Sequence, residues 1–542
     1  MRDVRLHPGA LRPRGADPRS LRRRSPRSAT TWPVRDHHEI ERAYAVDPDA
    51  ELPDLTELPG VVRVTEPTTA TLVATYVDTD DLALVRHGVT LRRRTGGDDA
   101  GWHLKVPAGL GRDELHRPLG RTETVPAGLA RQVLGWTRGR DLRPVADVET
   151  LRTARLLLDA EDAVLAEVAD DRVTGRAVGR LGADAVTWRE VEVELVTAPP
   201  AFLDAADAPL AAAGILPRTV QRKIASVLAH RLPEPAEALT RRALDGPASA
   251  VLHARLAEQV AALLRADCDV RRGVDDGVRR LRVASRRLRA ALATFGPLLD
   301  RDRTDPLRAE LRWVARTLGA GRDAEVAQDR LRALVSEVPR RQVVGPVRRR
   351  IDRTHADRRR AAGTHAADVL ASRRYLRLLG RLDRLVASPA WSERADRPAA
   401  EVLPKRVRKD LRRLREAVGV AEAVAASDGA GPAHDEALHD VRKAAKRLRH
   451  ACEVLEPLWG SDARRLRKAA QDVTRVLGER QDTVVVRADL RRMAARATAD
   501  GESAFTYGVL HEREQSRASV LEGELAAAWG RLDSKKLRRW LG

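Results

Sequence analysis

The residues best placed to do chemistry lie in the stretch Trp188 to Leu195, WREVEVEL. Alternate residues of an extended strand share a face, so Glu190, Glu192 and Glu194 point one way while Val191, Val193 and Leu195 point the other. Three in-phase carboxylates repel one another unless a cation compensates them, which makes this strand a candidate for holding a divalent metal. An edge strand with a solvated acidic face shows the same alternation, so the pattern needs partners. Glu39 and Glu41 in HHEIERAY repeat it on a short strand, and Val164 to Val173, VLAEVADDRV, puts Glu167 and Asp171 on one face. Basic residues follow the same rule: Arg92 and Arg94 are in phase in Leu91 to Arg94, Lys105 lies in Trp102 to Val106, and LRTAR contributes Arg152 and Arg155.

The elements that must position these groups read as antiparallel β over residues 37 to 197. Thr71 to Val77 is a further strand, a proline-rich turn spans Leu52 to Pro59, and Thr95-Gly96-Gly97-Asp98-Asp99 is hairpin chemistry. In an open sheet the charged faces would simply be wet. Closed into a barrel, they would line a lumen in which carboxylates hold a divalent cation and guanidinium groups hold a multiply charged anion. A metal bridging phosphate oxygens beside a basic clamp is suited to phosphoryl chemistry.

At 542 residues, with about 150 residues expected per domain, the chain must hold several units or two large ones. Only 3% of residues are aromatic, so its cores are built from Leu, Val and Ala, which favours helices. Lys and Arg number 99 against 78 Asp and Glu, a net +21 that attracts polyanions. Two cysteines, Cys268 and Cys452, support neither a disulfide framework nor a zinc site and are expected as inert thiols in a reducing cytoplasm. No apolar run approaches the ~20 residues of a membrane span. Residues 1–36, rich in Arg, Pro and Ser, read as a disordered basic leader.

Beyond the expected linker, 231–247, β signals give way to long Ala/Leu/Arg stretches over about 248–530, with 531–542 as a tail. RRLRVASRRLRAALATFGPLL from Arg279 and HDVRKAAKRLRHACEVLEPLW from His439 are two copies of one helical unit, and LGAGRD ending at Asp323 answers LGERQD ending at Asp482. The duplication is too long for a short solenoid repeat and splits this half at about 248–390 and 400–530. In one copy Arg279, Arg282, Arg286 and Arg289 share a helical face; in the other, His439, Arg442, Lys446 and Arg449 do. Solvated faces normally mix signs, and these carry almost no acid before Glu453, so a polyanion ligand is the better reading.

The N-terminal motifs resemble the CYTH, or triphosphate tunnel metalloenzyme, family: EIER at Glu39 to Arg42, YVDTDDLALVRHGVTLRRR at Tyr76 to Arg94, WHLKVP at Trp102 to Pro107, RDE at Arg112 to Glu114, LAEVADD at Leu165 to Asp171, and WREVEVEL. The resemblance covers roughly 37–230 and implies an antiparallel β-barrel tunnel with Mg²⁺ or Mn²⁺. It assigns Glu39, Glu41, Asp171, Glu190, Glu192 and Glu194 to the metal, with Glu39, Glu41, Glu190 and Glu192 catalytic. Arg92, Arg94, Lys105, Arg112, Arg152 or Arg155, and Lys223 would grip the phosphates. The family opens with Glu-x-Glu-x-Lys, and here the lysine position is Ala43. The second half looks like a CHAD domain, an all-α bundle with an internal two-fold repeat, and the resemblance implies that Arg279, Arg282, Arg286, Arg289, His439, Arg442, Lys446 and Arg449 bind inorganic polyphosphate. The name-giving histidine is kept at His439, with Arg279 in its place in the other copy.

The overall expectation is an α+β protein of two domains that hydrolyses triphosphate or a related short chain and binds polyphosphate. The alternative is a non-catalytic polyphosphate binder, associated with granules, whose tunnel has degenerated. Nucleic-acid binding fits the charge but finds no base-stacking aromatic signature, and cyclic nucleotide synthesis finds no base-recognition feature. Neither a membrane nor a protein partner is expected.

Overall fold

The computed structural model describes residues 37–179, 184–218, 222–232, 241–428 and 431–542. The expected leader and residues 233–240 of the expected linker lie outside these, as does the side chain of Asp323. The first half is one antiparallel sheet: β1 (His37–Glu39), β2 (Glu41–Val46), β3 (Arg63–Val64), β4 (Thr68–Asp78), β5 (Thr90–Thr95), β6 (Gly101–Ala108), β7 (Gly111–Pro118), β8 (Arg143–Leu158), β9 (Val164–Ala177), β10 (Val186–Leu195) and β11 (Leu216–Pro217). Neighbours run β1-β7-β6-β5-β4-β8-β9-β10-β2-β11, with β3 beside β8. Only Ile40 separates β1 from β2. β1, at one end of the path, is therefore joined by a single residue to β2, one strand from the other end, and the sheet curls on itself.

Alternation then sorts the side chains. Arg42 and Tyr44 turn outward, where both meet Asp207 of a helix over the sheet's outer face. Glu41 and Ala43 take the inner face. The outer apolar set includes Tyr44, Val191, Val193, Phe202 and Leu203. At the β5–β6 hairpin, Gly96 and Gly97 have φ of +80° and +71°, and a Cβ on Gly96 would fall 2.1 Å from the Thr71 carbonyl oxygen. Only glycine closes this turn against β4.

Among the helices, α1 (Ala127–Gln132), α2 (Leu134–Thr137), α3 (Ala201–Ala212) and α4 (Lys223–Val227) belong to the sheet half. The second half is α5 (Ala248–Arg272), α6 (Gly277–Thr294), α7 (Arg301–Thr317), α8 (Gly319–Glu337), α9 (Val347–Ala371), α10 (Arg373–Ala387), α11 (Ala399–Asp428), α12 (Pro432–Ala499), α13 (Phe505–Leu532) and α14 (Lys535–Arg538). The long α12 is bent at Gly460, whose φ of 53° and ψ of −121° are not helical. The internal repeat appears as local symmetry where α5 and α11 begin. Ala248 N donates to Arg397 O at 2.9 Å and Ala399 N to Gly246 O at 2.8 Å, a reciprocal exchange. Leu537, Trp540 and buried Leu541, near the C-terminus, pack on the helical core.

One apolar core runs across both halves. Trp102, Val89 and Trp136 of the sheet half join Leu256, Val260 and Leu263 of α5. Burying each such side chain contributes about 2 kcal/mol, so the halves are held by packing as well as by chain connection.

Candidate functional site

The curled sheet encloses a cavity of about 210 Å³. Its walls carry Glu39, Glu41, Glu192 and Glu194 opposite Arg92, Arg94, Lys105, Arg112, Arg152 and Lys223. Asp171 and Glu190, also expected at the site, are buried behind this lining, 0% and 2% exposed. Arg155, three residues along β8 from Arg152, is not part of the lining. An odd spacing sends it to the other face of the strand.

Registry stacks the acids in rows. Glu194 is opposite Glu41 on β2 and Glu167 on β9, and Glu190 is opposite Asp171. Like charges directly across a sheet destabilise it unless something intervenes. At Asp171, Glu190 and Glu192 the protein supplies the cation. Lys223 Nζ lies 2.9, 2.7 and 2.5 Å from the three carboxylates, and the Arg152 fork binds Asp171 at 2.8 and 2.7 Å and Glu192 at 2.5 Å. Burial acts to raise the Glu192 pKa, but Lys223 and Arg152 outweigh it and hold this carboxyl well below the usual range. Ala43, where the family pattern has lysine, is directly opposite Glu192.

The other row is compensated less completely. Lys105 Nζ is 2.6 Å from Glu39, 3.8 Å from Glu114 and 3.9 Å from Glu41, and Arg112 is 3.1 Å from Glu41. Glu194 has no hydrogen bond or ion pair among the described residues. Burial, then the charges of Glu39, Glu41 and Glu167, push its carboxyl up to about 8 against the opposing pull of Lys105. His37, Glu39 and Glu194 each offer a ligand atom, all within 4.8 Å of one another. The under-compensated acids and a nitrogen donor fit a divalent cation. Asp171, Glu190 and Glu192 also lie within 4.8 Å of one another, but Lys223 already sits among them.

On the basic side, Arg92 donates to the Tyr76 hydroxyl at 3.3 Å, and Arg94 pairs with Asp99. Burial and then the nearby charges of Arg92 and Arg152 lower the Arg94 pKa to about 9. Arg94 is thus crowded by its neighbours Arg92 and Arg152, a repulsion that a bound polyanion would relieve.

The structure adds residues that the sequence reading left out. Glu114 and His103 line the cavity, joined at 2.5 Å, and the His103 ring also meets the Asp99 carbonyl at 2.9 Å. Burial drives the His103 pKa down to about 3. Arg222, Tyr76 and Thr150 also line the walls. The signal for Glu114 and His103 was available, since they are in phase with Arg112 and Lys105.

The second basic cluster lies where α6 packs on α12. Lys446 is mostly buried and has no hydrogen bond or ion pair among the described residues. Burial and the charges of Arg442, Arg286, Arg449 and Arg282 lower its pKa to about 7. Both repeats thus meet at one lysine. The expected residues separate here: Arg279 is exposed and pairs with Asp276 at 3.2 Å, His439 is exposed, and Arg289 feels Arg312 and Arg308. Glu453, the first acid after the run, is a hub, 2.8 Å from Arg287, 3.0 Å from Arg255, 3.3 Å from His450 and 3.9 Å from Arg449.

Residues 37–223 match the CYTH domain family and residues 254–491 the CHAD domain family. The Mycobacterium tuberculosis protein MT2285 (strain CDC 1551) is 36% identical over 513 residues, covering 92% of this chain and 96% of its own. Among solved structures, PptA from Streptomyces chartreusis is similar at 23% identity and a TM-score of 0.41, over 52% of this chain and 99% of its own. The CHAD domain from the plant Ricinus communis has 22% identity and a TM-score of 0.38, over 57% and 94%. CYTH domains are metal-dependent, in keeping with the acidic clusters described above. The chain belongs to the family of two-domain proteins in which a CYTH domain precedes a CHAD domain.

Proposed function

We propose that the tunnel hydrolyses inorganic triphosphate or a related short phosphate chain with Mg²⁺ or Mn²⁺, and that the helical half binds inorganic polyphosphate. The observation that carries this reading is the cavity in which acids, among them Glu194 with no ion pair among the described residues, face a wall of arginines. His37, Glu39 and Glu194 would hold the metal, with Glu41 beside them. When bound, the metal neutralises phosphate charge and polarises the oxygens that it touches. Arg92, Arg94, Arg112 and Arg152 present planar forks to the phosphate oxygens, orienting the chain and stabilising charge on the leaving phosphate. Lys223 keeps Glu192 ionised, and Lys105 and Lys223 hold the acids that they touch in place. In the helical half, Lys446 and the arginines around it form a cation cluster that a phosphate chain would complete.

The test is phosphate release from triphosphate with and without Mg²⁺ or Mn²⁺, beside Glu39→Gln and Glu190→Gln/Glu192→Gln. Metal-dependent release that the variants lose is the expected result. A second reading, a polyphosphate binder with a silent tunnel, is favoured by Ala43 and by Lys223 lying among three of the acids. Polyphosphate binding without any phosphate release would select it.

A further inference from the structure

One wall of the tunnel is tied directly to the helical half. Among the described residues β1 spans three residues, which pair with β7 through His37↔Glu114, His38↔Asp113 and Glu39↔Arg112. These three residues make few ladder bonds, so side-chain ties help to fix where they sit. Alternation sends Glu39, Arg112 and Glu114 into the cavity and turns His38 and Asp113 away from it. There the Asp113 carboxylate meets His38 Nδ1 at 2.9 Å and accepts from Arg272 Nη1 at 2.7 Å. Arg272 is the last residue of α5 and is mostly buried. Burial acts to raise the Asp113 pKa, but the bonds from His38 and Arg272 outweigh it, so this carboxyl stays below its ordinary range. At the near end of β7 the fit is also tight, since a Cβ on Gly111 would lie 1.8 Å from the Glu39 carbonyl oxygen.

We propose that Arg272 is a positioning residue: through Asp113, the helical half holds the β1–β7 wall, and with it Glu39, Arg112 and Glu114, in the geometry that the tunnel needs. The effect on turnover rests on the triphosphatase reading, whereas the effect on the wall does not. An exposed ion pair would be worth little, but this one is largely shielded from water and links a long, packed helix, through Asp113 of β7, to His38 of β1. The helix is fixed by the shared apolar core, so the tie runs from a rigid element to a weakly held one.

The experiment compares the full chain with Arg272→Ala, Arg272→Lys and Asp113→Asn by amide hydrogen exchange and by triphosphate kinetics. Arg272→Ala is expected to speed exchange at residues 37–39 and 111–114 about tenfold while leaving 190–194 unchanged, and Asp113→Asn is expected to reproduce this. KM for triphosphate should rise about tenfold with a smaller change in kcat, since the phosphate-gripping Arg112 is displaced. Arg272→Lys should recover most of both effects. Unchanged exchange on both strands, or a rise that is equal at 190–194, would overturn the proposal. If the parent chain releases no phosphate, the triphosphatase reading fails and exchange alone decides the role of Arg272.

Discussion

Glu192 and Glu194 stand two residues apart on one face of β10 and are driven in opposite directions: Lys223 and Arg152 hold Glu192 ionised, while burial and Glu39 push Glu194 up to about 8. Identical side chains thus differ in what their removal costs. Glu192→Gln leaves Lys223 and Arg152 short of an acceptor and should cost about 2 kcal/mol. Glu194→Gln replaces a group already neutral at pH 7 and should cost less than about 1 kcal/mol. In metal-free wild type, the favourable state of Glu194 is fully present below its ordinary 4.5 and is lost as pH rises through about 8. Glu194→Gln should therefore gain stability relative to wild type as pH rises from about 5 to about 9. Urea unfolding with a chelator present reads both effects, and equal costs for the two variants would contradict them.

Lys446 predicts how pH governs anion binding. With its pKa lowered to about 7, the free cluster would shed a proton near neutrality, and a phosphate chain bound as proposed would restore it. Affinity for long-chain polyphosphate should fall several-fold between about pH 6 and about pH 9. Lys446→Arg, which stays charged, should flatten that dependence. The free protein should respond in the opposite sense, because a lysine with a depressed pKa adds stability as pH rises from about 7 toward its ordinary 10.5. Titration calorimetry at three pH values tests this, and a wild-type affinity that does not change with pH would refute it.

Much of the site was legible because a strand's two-residue period is simple. In-phase acids at Glu190, Glu192 and Glu194 and in-phase arginines at Arg92 and Arg94 needed no tertiary information. The repeat also announced itself, since two copies of one basic helix stand at nearly equal spacing from their Asp partners. What failed to show was register and closure. Glu39 and Glu41 read as neighbours on one strand, yet the chain changes partners at Ile40, pairing Glu39 with β7 and Glu41 with β10. Nor could spacing separate the acids that Lys223 neutralises from those that it does not, because Lys223 arrives from a short helix beyond the sheet.

Arg152 and Arg155 show the same limit and give a direct test. The sequence left them as alternatives, and β8 turns them to opposite faces. Arg152→Ala removes the fork from Asp171, which is fully buried, and should cost about 3 kcal/mol. Arg155→Ala should stay within about 0.5 kcal/mol. It should also leave phosphate release untouched, whereas Arg152→Ala should reduce it at least about tenfold. Thermal unfolding and kinetics on the same two variants decide between the positions, and a larger effect at Arg155 would reverse the assignment.

On the proposed polyphosphate reading, Glu453 should set stability against binding in the helical half. Burial acts to raise its pKa, but His450, Arg287 and Arg255 outweigh it and draw the carboxyl down to about 2. That stabilisation is present above the ordinary 4.5 and is lost as pH falls toward about 2. Glu453→Gln should cost about 3 kcal/mol at neutral pH, because several partly buried cations lose their common counter-charge. The cost should shrink on acidification, since wild type then carries a neutral group as well. The same change frees Arg449 and Arg287 beside the Lys446 cluster, so polyphosphate should bind the variant several-fold more tightly even though the free fold is weaker. Urea unfolding with and without polyphosphate separates the two effects. A variant that is both less stable and no better at binding would show that Glu453 serves packing alone.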